Sequence, residues 1–135
     1  MIKDKNIDPT ANVLHMVVSL HNCTALTNGV ANTVVQDAWK APFAGKIDAA
    51  CSYCTSVVAT GTVDLFINSA SCLSAAQAPV ALTATDITSA VTTTTFAAGD
   101  VISLRCVTSG GSGAITKPTI QVSVRNLAGQ ELSGY

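Results

Sequence analysis

The sequence predicts an all-β protein, a jelly-roll-like antiparallel β-sandwich with an extended N-terminal arm. Short β-forming runs recur at close spacing, which is typical of sandwiches and barrels. No segment carries a helical periodicity longer than a turn or two. Two strand entrances, at residues 41–47 and 96–105, each place a phenylalanine before a glycine turn and a charged residue after it. We expect one strand to pass to the next at each of these turns, at an edge of the sandwich.

The composition suits one domain with unusually neutral surfaces. A chain of 135 residues can bury a hydrophobic core without metals or disulfides as essential staples. Only 11% of its residues are charged, against about a quarter in an ordinary soluble domain. We interpret this shortage as a sign that much of the exterior contacts other subunits. The neutral surface of a secreted β-protein is the alternative.

Charge and hydropathy argue against two classes of partner. The net charge is −1, and the seven Lys and Arg residues form no stripe, so nucleic acid is not an expected partner. No apolar run is long enough to span a membrane, and no membrane partner is expected. Residues 1–5 are followed by polar residues rather than by the apolar core of a signal peptide. We therefore expect the product to remain where it is translated.

The five cysteines form an odd set, which favours reduced thiols packed as small hydrophobic side chains. Cys51 and Cys54 form a CxxC pair. However, no second pair or histidine lies at zinc-ligand spacing, and positions three apart on a strand point to opposite faces. We expect structural thiols, with metal or redox use as the alternative.

The N-terminal third is expected to hold an arm followed by short strands. Residues 1–12 have mixed charge and no periodicity, which is typical of an arm or a frayed end. Residues 13–20 are mostly apolar and β-forming, which predicts a buried strand. The Asn-Gly pair at 28–29 predicts a turn. Short extended pieces are expected at residues 30–36 and 38–43.

Two strands are predicted next, at residues 47–54 and 61–68. In the second strand, Val63, Leu65 and Ile67 share the face that is expected to meet the core. The intervening acidic positions, Asp48 in the first strand and Asp64 in the second, are expected to be solvated.

The following stretch is rich in small residues. We expect a loop at residues 69–76 and then a strand at residues 80–85, with Val80 and Leu82 facing inward and Ala84 as a weaker candidate. A brief helical or irregular link is expected at residues 86–91. The threonine run at residues 92–96 is strongly β-prone because its side chains are restricted at χ1, with low complexity as the alternative.

The C-terminal part is predicted to form two strands and a tail. Residues 100–108 alternate between apolar and polar side chains, with Arg105 outward, and the last strand is the expected pairing partner. The glycine-rich stretch 109–113 is expected to be a loop tip between these strands. Residues 126–135 are expected to be a tail whose order depends on a partner.

Candidate catalytic residues are sparse. His15 and His21 lie six residues apart and could share a strand face, a weak indication of a metal or pH-sensitive site; a solvated or hydrogen-bonded histidine is the main alternative. No nucleophile, base and orienting group can be named together. We therefore expect no enzyme activity, no cofactor and no metal. Trp39, the one tryptophan, is a candidate interface anchor or a core residue.

Three motifs carry a resemblance to a known group of proteins. A P-x-x-G strand entry stands at residues 42–45, a V-x-L-x-I-N strand at 63–68 and an A-A-G-D-x-I-x-L strand at 97–104. Together they resemble the jelly-roll domain of tailed-phage capsid decoration (cement) and head-fibre proteins, which is similar to the C1q and tumour-necrosis-factor shape. The resemblance covers residues 38–125 and implies a homotrimer with little or no chemistry.

The resemblance also implies a function. We expect a structural virion protein, made in the host cytoplasm, that stabilises the capsid exterior by bridging subunits of the phage major capsid protein. The alternative is a fibre-tip or receptor-binding module that recognises a host surface glycan through the loops at 69–76 and 109–113, although these loops lack aromatic residues.

The segments outside the sandwich are the expected capsid anchors. The division is an arm with the first strand or strands at 1–37, the jelly roll at 38–125 and a tail at 126–135. The candidate capsid or subunit interface residues are Ile2, Ile7, Pro9, Val13, Trp39, Leu132 and Tyr135.

Overall fold

The computed structural model describes residues 14–30, 34–58, 60–108 and 112–127. The predicted arm and most of the predicted tail therefore lie outside the described residues. The described part contains strands and one short 3-10 helix, η1. Their bounds are β1 His15–His21, β2 Ala25–Thr27, β3 Val35–Lys40, β4 Gly45–Tyr53, β5 Ser56–Val58, β6 Thr62–Ile67, β7 Ala70–Ser71, β8 Thr85–Asp86, η1 Thr88–Ala90, β9 Thr95–Phe96, β10 Val101–Val107, β11 Ala114–Thr116 and β12 Thr119–Asn126.

These strands form two main sheets and a smaller one. The large sheet has the order β1-β12-β4-β8, with β9 also paired to β4. The four-stranded sheet has the order β3-β10-β6-β7, and the small sheet has the order β2-β11-β5. The strand pairs are antiparallel. The predicted class, an all-β, jelly-roll-like antiparallel sandwich, is confirmed.

The core lies between the two main sheets, because alternate side chains of each strand point inward. Each sheet contributes side chains that are at most 1% exposed: Leu20, Ile120 and Val122 from the large sheet, and Leu65, Ile102 and Leu104 from the four-stranded sheet. They belong to one continuous cluster. The predicted inward face of residues 63–67 is confirmed.

The two glycine turns meet at one end of the sandwich. The first turn joins β3 to β4 and the second joins β9 to β10, so each carries the chain between the main sheets, as predicted. The Ala41 N–H donates to the Asp100 carbonyl at 2.8 Å, and the Gly99 N–H donates to the Ala41 carbonyl at 2.7 Å. A Cβ on Gly45 would stand 2.4 Å from the Arg125 carbonyl oxygen. Only a glycine fits this close approach.

The prediction that Val80, Leu82 and Ala84 face inward is wrong. Val80 is 51% exposed and Leu82 is 71% exposed, and Ala84 is also exposed. The apolar alternation falls on a turn: Val80 pairs with Thr83, and Leu82 has a φ of +57°. A strand cannot continue through that left-handed conformation.

The prediction that Asp64 is solvated is also wrong. Its side chain is buried, because β7 pairs with β6 and brings Ser71 across it. Asp64 Oδ1 accepts hydrogen bonds from the Leu65 N–H at 2.8 Å and the Ser71 hydroxyl at 2.7 Å. Part of the predicted loop 69–76 is thus a short strand. Asp48 is exposed, as predicted.

The predicted pairing of β10 with the last strand is wrong. β10 pairs with β3 and β6, while β12 lies between β1 and β4 in the other main sheet. The intervening chain does not make a simple hairpin, because β11 first joins the small sheet. A turn with Lys117 at a φ of +51° then leads into β12.

Four predictions about individual segments had different outcomes. The turn at 28–29 is confirmed, with Gly29 at a φ of +92°, and the link at 86–91 contains η1. The strand predicted as buried at 13–20 is half-buried, since Val17 is 62% exposed while its neighbour Val18 is buried. The threonine run forms a strand at its end alone, in β9.

Candidate interaction surfaces

Most of the predicted interface residues lie outside the described residues. These are Ile2, Ile7, Pro9, Val13, Leu132 and Tyr135. Trp39 is described. Its indole makes edge contacts with the rings of Phe43 and Phe96, with centroids 6.0 and 5.9 Å apart, and it packs against the core while half-buried. This contact favours the core alternative for Trp39.

The cysteines are arranged as isolated thiols. All five lie in the described part of the chain and none forms a disulfide. Cys51 points outward and is half-buried, whereas Cys54 is buried, so the CxxC pair is split between two faces as predicted. Burial raises the pKa of Cys54, and raises the pKa of Cys72 and of Cys106 to about 12. The Asp64 carboxylate adds a second, smaller increase to the pKa of Cys72. At neutral pH the thiols of Cys72 and Cys106 are therefore protonated and weak nucleophiles.

The two histidines do not form a common site. His15 and His21 both lie on the outer face of β1, as predicted. They stand at its two ends, about 20 Å apart at about 3.3 Å per residue. A metal ion cannot span that distance. No group of three or more His, Cys, Asp or Glu side chains within the described ranges is placed to hold a metal ion.

The outer face of the large sheet has an uncharged centre. The strand register aligns its outward residues in three rows across β1, β12 and β4. None of these side chains belongs to Asp, Glu, Lys or Arg. The rows are Val17, Ser123 and Ala49; Ser19, Gln121 and Cys51; and His21, Thr119 and Tyr53. We call these nine residues the neutral face.

Charged residues lie on three sides of the neutral face. At one end, Arg125 Nε lies 2.9 Å from Asp48 Oδ1, and Arg125 is paired in register with Lys46. Asp86 extends the middle row at the β8 edge, and Lys117 lies at the other end. An apolar or neutral centre within a charged rim is the usual anatomy of a protein interface. Six of the nine side chains are polar, as is usual on the solvated face of an antiparallel sheet, but none belongs to Asp, Glu, Lys or Arg.

The neutral face contains shallow depressions, two of which share lining residues. One has a volume of about 350 Å³ and is lined by residues that include Val17, Ala49 and Ser123. The other has a volume of about 320 Å³ and is lined by residues that include Tyr53 and Thr119. Cys51, Gln121 and Ala84 line both depressions. Ala84, which leads into β8, forms their shared rim.

An uncharged, projecting segment adjoins this rim. Residues 74–84 contain no charged side chain, and all are exposed except Gln77 and Pro79. The segment is held by its backbone: Gln77 and Val63 exchange two hydrogen bonds of 2.8 Å, and the Leu82 N–H donates to the Cys54 carbonyl at 2.8 Å. We call residues 80–83 the apolar turn. Leu82 has the largest exposed fraction of the large aliphatic side chains in the described residues.

Sequence reasoning identified neither surface. The neutral face combines strands that are distant in the chain, and its rows follow from their register. The signal that could have found it is the lack of charge in the outward positions of residues 13–20 and 120–124. The apolar turn could have been found from the uncharged run at residues 74–84, had its exposure been known.

No family model, curated protein or solved structure matched the chain in the comparisons. Among the described residues, no helix is long and apolar enough to cross a membrane.

Proposed function

We propose that this protein is a phage capsid decoration protein that cements the shell as a homotrimer. The observation that carries the proposal is the neutral face with its charged rim. A protein with 11% charged residues has few charges to place, and none stands at the nine positions of this face. Asp48, Arg125 and Asp86 lie at its margins. The jelly-roll-like sandwich agrees with the resemblance of residues 38–125 to decoration proteins. No chemistry is required for this function.

The cementing mechanism is mass action. A trimer that binds neighbouring major capsid subunits in the assembled shell, but not the separated subunits, favours the assembled state. Each copy need contribute only a few kcal/mol, because the effect is repeated over many sites of the shell. The protein would then lie on the virion exterior after synthesis in the host cytoplasm.

The arm and the tail are the proposed capsid contacts. The described residues begin at Leu14 and end at Leu127, and the Asn126 N–H donates to the Leu14 carbonyl at 3.2 Å. The segments that precede and follow these residues are therefore attached at one end of the sandwich. Two anchors at one end suit attachment of that end to a shell.

A two-part experiment tests this function. Light scattering gives the mass of the purified protein, and mixing with undecorated capsids followed by pelleting gives capsid binding. A trimer that pellets with the capsids is expected. Deletion of residues 1–12 should abolish pelleting while the trimer remains. A trimer that stays in the supernatant contradicts the cementing function, and unchanged binding after the deletion contradicts the role of the arm.

A second candidate function is glycan recognition, which Tyr53 favours. Its ring lines a depression with the polar side chains of Thr119 and Gln121, and sugars often stack on an aromatic ring beside such groups. Glycan binding requires that no second copy covers this depression. A monomer that binds a glycan array, with binding lost in Tyr53→Ala, would favour a fibre-tip or receptor-binding module over the cement protein.

A further inference from the structure

We infer that the apolar turn of one copy packs into the depressions of the next copy's neutral face, so that three copies close a ring. This inference rests on the proposed homotrimer and names the surfaces that form it. The two surfaces lie on the same chain and are complementary. One is a projecting turn with exposed aliphatic side chains, and the other is a concave sheet face whose nine central side chains are uncharged, with Asp86 at the edge of one depression.

The apolar turn has the features of an inserted element. Val80 and Leu82 are more than half exposed, although their burial against a partner would be favourable. The φ of +57° at Leu82 is a conformation that favours glycine or asparagine. The turn is fixed by the hydrogen bond from the Leu82 N–H to the Cys54 carbonyl. A turn ordered before binding loses little conformational entropy on binding.

The neutral face suits a second copy as its occupant. Neither the apolar turn nor the nine residues of the neutral face carry a formal charge, so like copies meet there without repulsion. The nine residues span five positions of three strands, which gives an area of roughly 240 Å². This is less than a third of the roughly 800 Å² that each partner buries in a stable complex. In a ring, however, each copy also buries its segment 74–84 against the other neighbour, so its total buried area exceeds that of the neutral face.

The turn does not fill the depressions of its own chain, because Leu82 is 71% exposed while Ala84 forms the rim of both depressions. The inserted turn must therefore come from another copy. Two copies that exchange turns would form a two-fold dimer, whereas copies that each offer the turn to one neighbour and the neutral face to the other close into a ring or continue as an open polymer. The proposed trimer selects a ring of three, and a closed dimer would overturn the inference.

Cys51 allows a direct test by crosslinking. Its thiol lines both depressions, so a thiol introduced at Leu82 should reach the Cys51 of the neighbouring copy. The Leu82→Cys change is made in a Cys23→Ser background, because Cys23 is the exposed cysteine. Copper-phenanthroline and oxygen then oxidise the two thiols to a disulfide.

A closed ring gives a defined pattern on a non-reducing gel. We expect bands at two and three times the 13.7 kDa chain mass and none above them. Adding Cys51→Ser to the same background should abolish these bands. Crosslinks confined to single chains, a ladder beyond three chains, or bands that persist without Cys51 would overturn the inference.

Two substitutions at Leu82 provide a second measurement without a disulfide. Leu82→Asn keeps a residue that tolerates positive φ but removes the aliphatic side chain, and Leu82→Asp adds a charge. Both should raise the dissociation constant of the trimer, Leu82→Asn by at least tenfold and Leu82→Asp by at least a hundredfold. Val58→Asp is the matched control, since Val58 is 50% exposed on the small sheet, and it should leave the trimer intact. Unchanged assembly in Leu82→Asp would overturn the inference.

The outcomes separate this inference from the proposed function. A trimer that neither crosslinks nor responds to Leu82→Asp overturns the inference but leaves the cement function. A crosslinked trimer that fails to pellet with capsids supports the inference and overturns the cement function. A monomer overturns both.

Discussion

The outer face of the four-stranded sheet is largely covered by the protein's own side chains, whereas the neutral face of the large sheet is open. On the first, Ser103 is 1% exposed and Asp64 is 6% exposed, and the Arg105 guanidinium lies 4.2 Å above the centre of the Phe66 ring. On the second, Val17 is 62% exposed. Polar and charged groups are thus buried within one face, while small neutral groups remain accessible on the other.

The difference predicts that substitutions on the two faces affect different properties of the protein. Covering Asp64 requires hydrogen bonds from Leu65 and Ser71, so substitutions there should affect folding stability. The neutral face contributes little to stability beyond its strand pairing, so substitutions there should affect assembly. The following predictions test this division, in order of decreasing effect.

A charge in the centre of the neutral face should have the largest effect. We expect Ser123→Arg to weaken the proposed trimer at least a hundredfold, because a buried unpaired charge is costly. The unfolding free energy of the monomer should change by less than about 0.5 kcal/mol. Ala38→Arg, on the exposed outer side of β3, is the control and should leave assembly unchanged. Light scattering over a dilution series measures the assembly of both variants. Equal weakening of assembly by Ser123→Arg and Ala38→Arg would contradict the comparison of the two faces.

Removal of the buried carboxylate should destabilise the fold but spare the trimer contact. Asp64→Ala leaves the Leu65 N–H without its side-chain acceptor, while the Ser71 hydroxyl keeps the Leu73 carbonyl at 3.3 Å, and the expected cost is about 1–3 kcal/mol. Asp48→Ala removes the exposed partner of Arg125 on the other sheet and should cost less than about 1 kcal/mol. Urea unfolding of both variants gives the difference. A larger loss of unfolding free energy in Asp48→Ala than in Asp64→Ala would contradict the prediction that the covered face contributes more to folding stability.

The buried thiols should make the fold sensitive to alkaline pH. The pKa of Cys72 and of Cys106 is raised in the folded state from 9.0 to about 12. Their contribution is fully present below pH 9, and it is lost between pH 9 and 12 because the unfolded chain then releases protons that the folded chain retains. Each thiol should lower the unfolding free energy by at most about 1.4 kcal/mol per pH unit. Cys106→Ala should reduce this slope in urea unfolding, and an unchanged slope would contradict the prediction.

The alkylation rate of Cys51 should show the smallest of these effects, and it reports whether the neutral face is covered. At neutral pH, Cys23 should react with a maleimide in any state, while Cys54, Cys72 and Cys106 should react only after unfolding because they are buried. Cys51 should react about tenfold more slowly in the trimer than in a Leu82→Asp monomer. Mass spectrometry of digested protein measures each site, and equal rates at Cys51 would show that assembly leaves the neutral face uncovered.

The successes and errors of sequence interpretation have physical causes. Alternation correctly placed Val63 and Leu65 in the core, because successive side chains of a strand point to opposite faces. The same alternation misplaced Leu82, because a turn held by the distant Cys54 carbonyl interrupts the strand there. Alternation also predicted that Asp64 faces solvent. This failed because β7, which covers Asp64, lies in a segment whose small residues give no clear pattern. Trp39 was predicted as an interface anchor or a core residue, and the ring contact that favours its core role involves Phe96, which is far along the chain.

The sequence by itself determined the all-β class, the inward faces of the main strands and the two glycine turns, since each depends on neighbouring residues and their backbone preferences. Only the tertiary structure decided which strands pair, which outer face is covered and where the apolar turn stands. These features depend on contacts between segments far apart in the chain, such as β1 with β12 and the two glycine turns with each other. No local pattern encodes those contacts. The neutral face exists because strand register aligns three uncharged stretches side by side.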